Sequence, residues 1–92
     1  MHMSYTLKRQ KTFIKDFHKA SLNDTEFNKL IRYTALLQEG KSLPQEARDH
    51  ALKGEYRGYR EFHIGSDMLV VYKSAGQTIY LTRLGTHAQI FA

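Results

Sequence analysis

The spacing of apolar residues changes halfway along this 92-residue chain, and that change constrains the fold more than any other feature of the sequence. In the first half, apolar side chains recur at helical spacing over residues 11–20 and again over 23–40. From Tyr56 onward the period becomes two, and turn-forming residues at 65–67 and 74–77 divide the remainder into three strand-like segments. Together with a short β-prone stretch at 5–7, this pattern predicts an α+β domain with two N-terminal helices packed on a small, mainly antiparallel four-stranded sheet.

The second helix carries the clearest start and stop signals. Asn23 is a preferred N-cap residue, and Glu26 three positions later completes a capping-box pattern. Gly40 is placed to end the helix. Between them runs an apolar stripe at helical spacing, formed by Phe27, Leu30, Ile31, Thr34 and Leu37.

The strand-like segments differ in how deeply they should be buried. Residues 68–72 are apolar without interruption, which is typical of a central strand covered on both faces. Around residue 60 the pattern alternates, so Phe62 and Ile64 are expected in the core. Three residues just before them should be at least partly exposed: Tyr56, Arg57 and Tyr59.

Length and composition point to one globular domain over residues 1–92, in which residues 1–3 are interpreted as an expression remnant. The chain has no cysteine, which excludes disulfides and thiolate metal sites. No apolar run approaches the ~20 residues of a membrane span, and no signal peptide is visible. We therefore expect a cytoplasmic protein with no membrane partner. The net charge of +5 is compatible with a nucleic-acid or acidic-protein partner.

Four polar residues of the second half should converge because of the topology. His63 ends one strand and Asp67 opens the next, so the two are neighbours across a tight turn. Antiparallel pairing of the last strand with residues 68–72 brings Arg83 back toward Asp67, and His87 follows one turn later. His50 precedes these strands, so only tertiary packing can bring it in. His18, in the lysine-rich first helix, is interpreted as a surface residue.

These side chains match the needs of RNA transesterification without a metal. Histidine gives and takes protons near neutral pH, and arginine presents a fork of donors suited to phosphate. A zinc site is the rival interpretation, but no short ligand spacing is present and Arg83 would oppose a cation. No metal and no other cofactor is therefore expected. In the structural alternative, each histidine only satisfies a local hydrogen bond.

A basic, aromatic stretch precedes the first long strand. Its residues suit phosphate contact and base stacking, although the same alternation would also arise from packing on the helices. The candidate substrate contacts in this stretch are Lys53, Arg57, Tyr59 and Arg60.

The motifs that are most distinctive of a protein family lie between Asp49 and Phe91. They are DHALKG, GYREFHI, DMLVVY and RLGTHAQIF. This pattern resembles the YafQ branch of the RelE/ParE toxin superfamily. The resemblance implies an endoribonuclease toxin that cuts messenger RNA at codons in the A site of the 70S ribosome. It also implies catalytic roles for His50, His63, Asp67, Arg83 and His87, and a substrate-ordering role for the aromatic ring of Phe91.

The implied roles can be assigned further as a hypothesis. His87 is the general acid and Asp67 the general base, and exchange of these two roles stays open. His50 and His63 position or polarise the phosphate, whose oxygens Arg83 binds.

The resemblance also predicts partners. A small DinJ-like antitoxin should neutralise the toxin, and operator DNA should be bound only through that complex. Two alternatives remain at this point: a non-enzymatic ParE-like toxin that binds DNA gyrase, and a basic module that binds ribosomes or RNA without cutting. The chain departs from the family pattern where Met68 replaces the usual tryptophan, and methionine stacks less well on a base.

Overall fold

The computed structural model describes residues 4–92, so the presumed remnant at residues 1–3 lies outside the described part. Five strands form one mixed sheet, and two short 3-10 turns, Gln45–Ala47 and Gly54–Tyr56, lie in the connections. In chain order the elements are β1 (Thr6–Arg9), α1 (Lys11–Lys19), α2 (Asp24–Gln38), β2 (His50–Ala51), β3 (Arg60–Gly65), β4 (Met68–Ala75), β5 (Thr78–Gly85) and α3 (His87–Phe91).

The strand order in the sheet is β1-β5-β4-β3-β2, with β1 parallel to β5 and the other pairs antiparallel. The predicted α+β class and N-terminal helices are confirmed, but the count of four strands is wrong. The additional strand, β2, pairs only His50 with Glu61 and Ala51 with Arg60. Two residues are too few to show a period of two, so the sequence pattern does not reveal this strand.

Helix α2 begins and ends where its signals predict. The Oδ1 atom of Asn23 accepts the backbone N–H of Glu26 at 2.8 Å, and Oε1 of Glu26 accepts the backbone N–H of Asn23 at 3.0 Å. At the other end Gly40 has a φ of 73°, a left-handed conformation that glycine adopts without a Cβ clash. The backbone N–H groups of Gly40 and Lys41 then donate to Leu37 and Leu36, which is a Schellman ending.

Strand β4 is central and covered on both faces, as its uninterrupted apolar run predicts. On one face the helices contribute to a core cluster made of Phe13, Leu30, Tyr33, Leu37, Phe62, Ile64, Val70, Tyr72, Ile79 and Leu81, among others. On the other face Leu69 and Val71 are fully buried beneath Ile90 of α3 and Tyr56 of the loop before β3. This second face is the one that carries the polar residues of the predicted site.

The predicted apolar stripe of α2 is only partly in the core. Leu30, Thr34 and Leu37 are buried, whereas Phe27 is 46% exposed and Ile31 is 54% exposed. Helix α1 lies alongside but is only nine residues long, and it does not cover them. Part of the stripe therefore lies outside the core, and an apolar surface is left open beside α1.

Candidate active site

Two neighbouring rows of paired residues carry the candidate site across the sheet. The first row runs from β2 to β5 as His50, Glu61, Val71 and Arg83, and the second runs from β3 to β5 as His63, Leu69 and Gly85. Because directly paired residues of antiparallel strands share a face, these side chains all lie on the face opposite the core helices. Strand register thus places His50 in the site, which sequence topology alone did not establish.

Helix α3 fixes the position of His87. Its capping box joins Thr86 and Gln89: the N–H of Thr86 donates to Oε1 of Gln89 at 2.9 Å, and Oγ1 of Thr86 accepts the N–H of Gln89 at 3.2 Å. Ile90 anchors the same helix in the apolar layer over β4. A larger residue in place of Gly85 would disturb this cap, since a Cβ there would lie 2.8 Å from Oε1 of Gln89, the acceptor of the Thr86 N–H.

His87 and Asp67 form a direct hydrogen-bonded pair. One carboxylate oxygen, Oδ1 of Asp67, lies 3.1 Å from Nδ1 of His87 and also accepts the backbone N–H of His87 at 3.2 Å. The two bonds lower the pKa of Asp67, the side-chain bond being the larger cause, so Asp67 is ionised at neutral pH. Both side chains are more than half exposed, so the pair is open to a substrate.

Glu61 is the residue of the site that sequence reasoning missed. Its side chain is only 4% exposed, and Oε2 lies 3.0 Å from Nε2 of His63, 3.5 Å from Nε2 of His50 and 3.8 Å from Nε2 of His87. One buried carboxylate thus faces all three histidines. The signal that could have identified it is its spacing, because residues two apart in a strand share a face and Glu61 precedes His63 by two.

The tautomer of His63 follows from its neighbours. The guanidinium of Arg48 can only donate, so Nδ1 of His63 accepts from Nη2 of Arg48 at 3.2 Å. The proton of a neutral ring is therefore on Nε2 and is donated to Glu61. Burial lowers the pKa of His63 and the positive charge of Arg48 lowers it further, while the bond to Glu61 acts in the opposite direction. His63 is accordingly neutral at physiological pH and holds Glu61 in place.

His50 is oriented by the backbone of the preceding turn. Its Nδ1 donates to the carbonyl oxygen of Arg48 at 2.6 Å, which leaves Nε2 facing Glu61. Arg48 has a φ of 48°, the one positive value among the non-glycine residues described. That turn lets Arg48 contribute both its carbonyl to His50 and its guanidinium to His63.

Arg83 is held by an acidic residue of α1 that the sequence analysis did not single out. Nε of Arg83 donates to Oδ2 of Asp16 at 2.7 Å, and Nη2 lies 3.4 Å from Oδ1. The same Oδ2 accepts the backbone N–H of Leu84 at 2.9 Å. These bonds to Asp16 are the main cause that raises the pKa of Arg83, a bond to Tyr56 adds to the rise, and burial opposes it. Arg83 is therefore a fixed cation, and no sequence spacing links it to Asp16.

The aromatic residues form a connected surface beside the histidines. The ring of Phe91 lies 5.9 Å from that of His87 and 5.3 Å from that of Tyr56, centroid to centroid. Phe91 is 41% exposed, so its ring is accessible to a base. Tyr59 packs against Tyr56 and carries the ammonium of Lys73 5.1 Å from its ring centroid.

The predicted basic contacts are only partly brought together. Lys53 and Arg57 are exposed on the loop that covers the site face. Arg60 lies on the opposite face with Phe62, and its Nε donates to Asp49 at 3.2 Å. The structure does not bring Arg60 to the site, because it is an odd number of residues away from Glu61 and His63 along the strand.

Three donors of the site satisfy the distance requirement for a metal. One atom each from Glu61, His63 and His87 lies within 4.8 Å of the others. Imidazole nitrogens with a carboxylate oxygen are ligands that zinc and copper accept. Any such cation would take the Nε2 lone pair of His63 or His87, so metal binding and proton transfer through those atoms exclude each other.

Comparison with known proteins gives consistent matches. Residues 5–92 match the family model described as "Bacterial toxin of type II toxin-antitoxin system, YafQ". The chain is 35% identical over 80 residues to the mRNA interferase toxin YafQ of Escherichia coli K12, covering 86% of this chain and 87% of that protein. The crystal structure of the E. coli DinJ–YafQ complex is similar with a TM-score of 0.81 at 30% identity, over 96% of this chain and 99% of that one. A metal-bound toxin from Helicobacter pylori is similar with a TM-score of 0.83 at 30% identity, over 95% and 99%.

Proposed function

This chain belongs to the YafQ family of bacterial toxins of type II toxin–antitoxin systems and is an mRNA interferase, and we propose that it cuts messenger RNA in the ribosomal A site by general acid–base catalysis. The observation that carries the proposed chemistry is the exposed, hydrogen-bonded pair of Asp67 and His87. The pair stands beside a buried carboxylate that faces three histidines. This arrangement supplies two proton-transfer groups at one accessible point.

The reaction is a transesterification within the RNA chain. Asp67 takes the proton of the 2′-hydroxyl, and the 2′-oxygen attacks the adjacent phosphorus. The bond from phosphorus to the 5′-oxygen breaks, and protonated His87 gives its Nε2 proton to that oxygen. The products are a 2′,3′-cyclic phosphate and a free 5′-hydroxyl. Both side chains are more than half exposed, so Asp67 then releases its proton to water and Nε2 of His87 takes one from water, which restores the starting protonation state.

Arg83 and His50 stabilise charge on the phosphate in this proposal. Arg83 is already oriented by Asp16, so no reorganisation is required as charge builds on the phosphoryl oxygens. The side chain of His50 is 53% exposed, and its Nε2 lies 3.5 Å from Oε2 of Glu61. His63 has both ring nitrogens engaged, so its role is to hold Glu61 and thereby the two exposed histidines.

Phe91 of α3 supports base stacking, while Lys53, Arg57 and Tyr59 of the covering loop support contact with the message or the ribosome. Arg60 is left out of this set because it lies on the helix face.

A gyrase-binding toxin or a non-cutting RNA binder needs no acid–base pair. The relative from H. pylori is a metal-bound toxin, and a cation bound to this chain would be held by Glu61, His63 and His87. The proposed steps do not pass through it.

Mapping of transcripts during induction tests the proposed activity. Primer extension should show discrete cuts that fall at a fixed position of in-frame codons, because the ribosome presents one codon at a time. The same transcript with its start codon removed is the control and should stay intact. Intact transcripts in cells that are fully growth-arrested would contradict the proposal.

An open apolar groove is the place where we propose that the cognate antitoxin binds. The groove has a volume of about 330 Å³ and is lined by side chains of α1, α2 and the adjoining strands. Of the four large apolar residues that are exposed in the described chain, three line it: Phe17, Phe27 and Ile31. A relative has been crystallised with the antitoxin DinJ. An acidic, amphipathic segment fits both this surface and a toxin of charge +5.

Ile31→Glu should weaken antitoxin binding by about 30-fold or more, since a buried hot spot contributes about 2 kcal/mol and a charge is costly in an apolar groove. The affinity is measured by calorimetry with the cognate antitoxin, and protection is measured by growth on co-expression. Message cleavage should not change, because the groove lies on the other side of the sheet from the site. Thr25→Glu, exposed on α2 away from the groove, is the matched control and should bind normally. Equal affinity of both variants would place the antitoxin elsewhere.

A further inference from the structure

We propose that a polar cavity beside the Asp67–His87 pair is the subsite for a nucleotide that flanks the scissile phosphate, with Lys19 as its phosphate contact. The cavity has a volume of about 460 Å³ and lies between the end of α1 and the start of α3. This inference rests on the proposed function, because it concerns how the same substrate is held.

The position of the cavity relative to the reacting groups comes from the chain itself. Met68 and Thr86 line the cavity, and they are the immediate neighbours of Asp67 and His87. The cavity therefore opens directly beside the proton-transfer pair. A phosphodiester chain that is held at the pair and continues in this direction must enter it.

The lining suits a nucleotide better than an apolar ligand. Lys19 and Arg83 both line it, and Asp16, the one acidic residue among those that line it, is already paired with Arg83. Lys19 forms no ion pair within residues 4–92, so its ammonium is available to a phosphate. Met68 and Leu84 add carbon surface for a ribose or base. The volume is within the range of about 300–1,000 Å³ that small-ligand sites occupy.

Arg83 joins this cavity to the catalytic face. Its guanidinium contacts Asp16 on the cavity side, and Tyr56, which contributes to the raised pKa of Arg83, packs against Phe91 of the aromatic surface. One cation is thus shared between the scissile phosphate and the next one along the strand. Lys19 then supplies the charge that the second phosphate needs for itself.

Binding of short RNA to the intact protein tests the subsite. The probes are a dinucleotide with a 2′-O-methyl group at the scissile position and trinucleotides extended by one nucleotide at the 5′ or the 3′ end. Affinity is measured by NMR titration, which reads weak binding and reports on the backbone amides of Met68, Thr86 and Gln89. In wild type, one of the two extensions should tighten binding by about tenfold and shift these amides.

Lys19→Ala should lose most of that increment while its affinity for the dinucleotide stays unchanged. The slope of log affinity against log salt for the trinucleotide should fall by about 0.7, the value for one phosphate contact on a single strand. Lys15→Ala, one turn earlier on α1 and outside the cavity, is the matched control and should keep the increment.

Two results overturn the subsite: no increment from either extension in wild type, or the same increment in Lys19→Ala as in Lys15→Ala. Message cleavage on programmed ribosomes is measured on the same preparations. If the wild-type protein cleaves the message but Lys19→Ala keeps the full gain in affinity, the subsite is contradicted and the proposed function is not. If the wild-type protein cleaves no message, the proposed function itself is contradicted.

Discussion

His87→Ala should slow message cleavage on programmed ribosomes by about 10²–10⁴-fold while the protein keeps its fold, since that is the usual contribution of one proton-transfer group. The ring is half exposed, so its loss creates no cavity in the core. The backbone N–H of His87, which also donates to Asp67, survives the substitution. Single-turnover cleavage at saturating toxin measures the rate, and thermal denaturation should show a change in stability within about 0.5 kcal/mol.

A substrate whose leaving group needs no proton separates the acid from the base. With sulfur in place of the scissile 5′-oxygen, His87→Ala should recover most of its rate, whereas Asp67→Ala should stay slow. If the rate recovers in Asp67→Ala instead, Asp67 is the general acid and His87 is the general base. His18→Ala, an exposed histidine on α1, is the control and should cut at the wild-type rate. Cleavage by His87→Ala at that same rate would show that the pair is not the proton-transfer site.

The parts of the fold that the sequence predicts are those with strong local signals. The capping box at Asn23, the left-handed ending at Gly40 and the uninterrupted run over residues 68–72 all form as expected. Strand β2 and helix α3 were missed because they have only two and five residues, too few to show a period. The exposure of Ile31 was also unpredictable, because the periodicity of α2 does not reveal how far its neighbour extends.

The candidate site was predictable to the extent that it depends on hairpin geometry. The two-residue connection between β3 and β4 brings Asp67 beside the end of β5, which is why its contact with His87 could be anticipated. Asp16 lies 67 positions from Arg83, and only the packing of α1 on β5 makes them partners. Glu61 was overlooked because a charged residue in an alternating strand is usually solvated, whereas here the covering loop and α3 bury it.

Glu61→Gln should lower the turnover rate by about 10²-fold with little change in KM, because the catalytic histidines lose the charge that orients them and small displacements of reacting groups have effects of that size. Gln still accepts the Nε2 proton of His63, so that buried donor keeps its partner, which it would lose in Glu61→Ala. Glu39→Gln, which changes an exposed carboxylate at the end of α2, is the matched control and should leave the rate unchanged.

The pKa of His63 distinguishes a Glu61 that acts on the histidines through its charge from a Glu61 that only supports the fold. The negative charge of Glu61 raises the pKa of His63 against burial and Arg48, so its removal should lower that pKa further, as measured by NMR of the ring. A histidine whose pKa is lowered by folding binds fewer protons in the folded than in the unfolded chain, so stability falls as the pH drops below about 6.5. Glu61→Gln should extend that loss to lower pH, so its melting temperature should fall away from that of wild type once the pH is below the folded pKa of wild-type His63. If Glu61→Gln retains the wild-type cleavage rate and the wild-type pKa of His63, the carboxylate of Glu61 neither orients the catalytic histidines nor raises the pKa of His63.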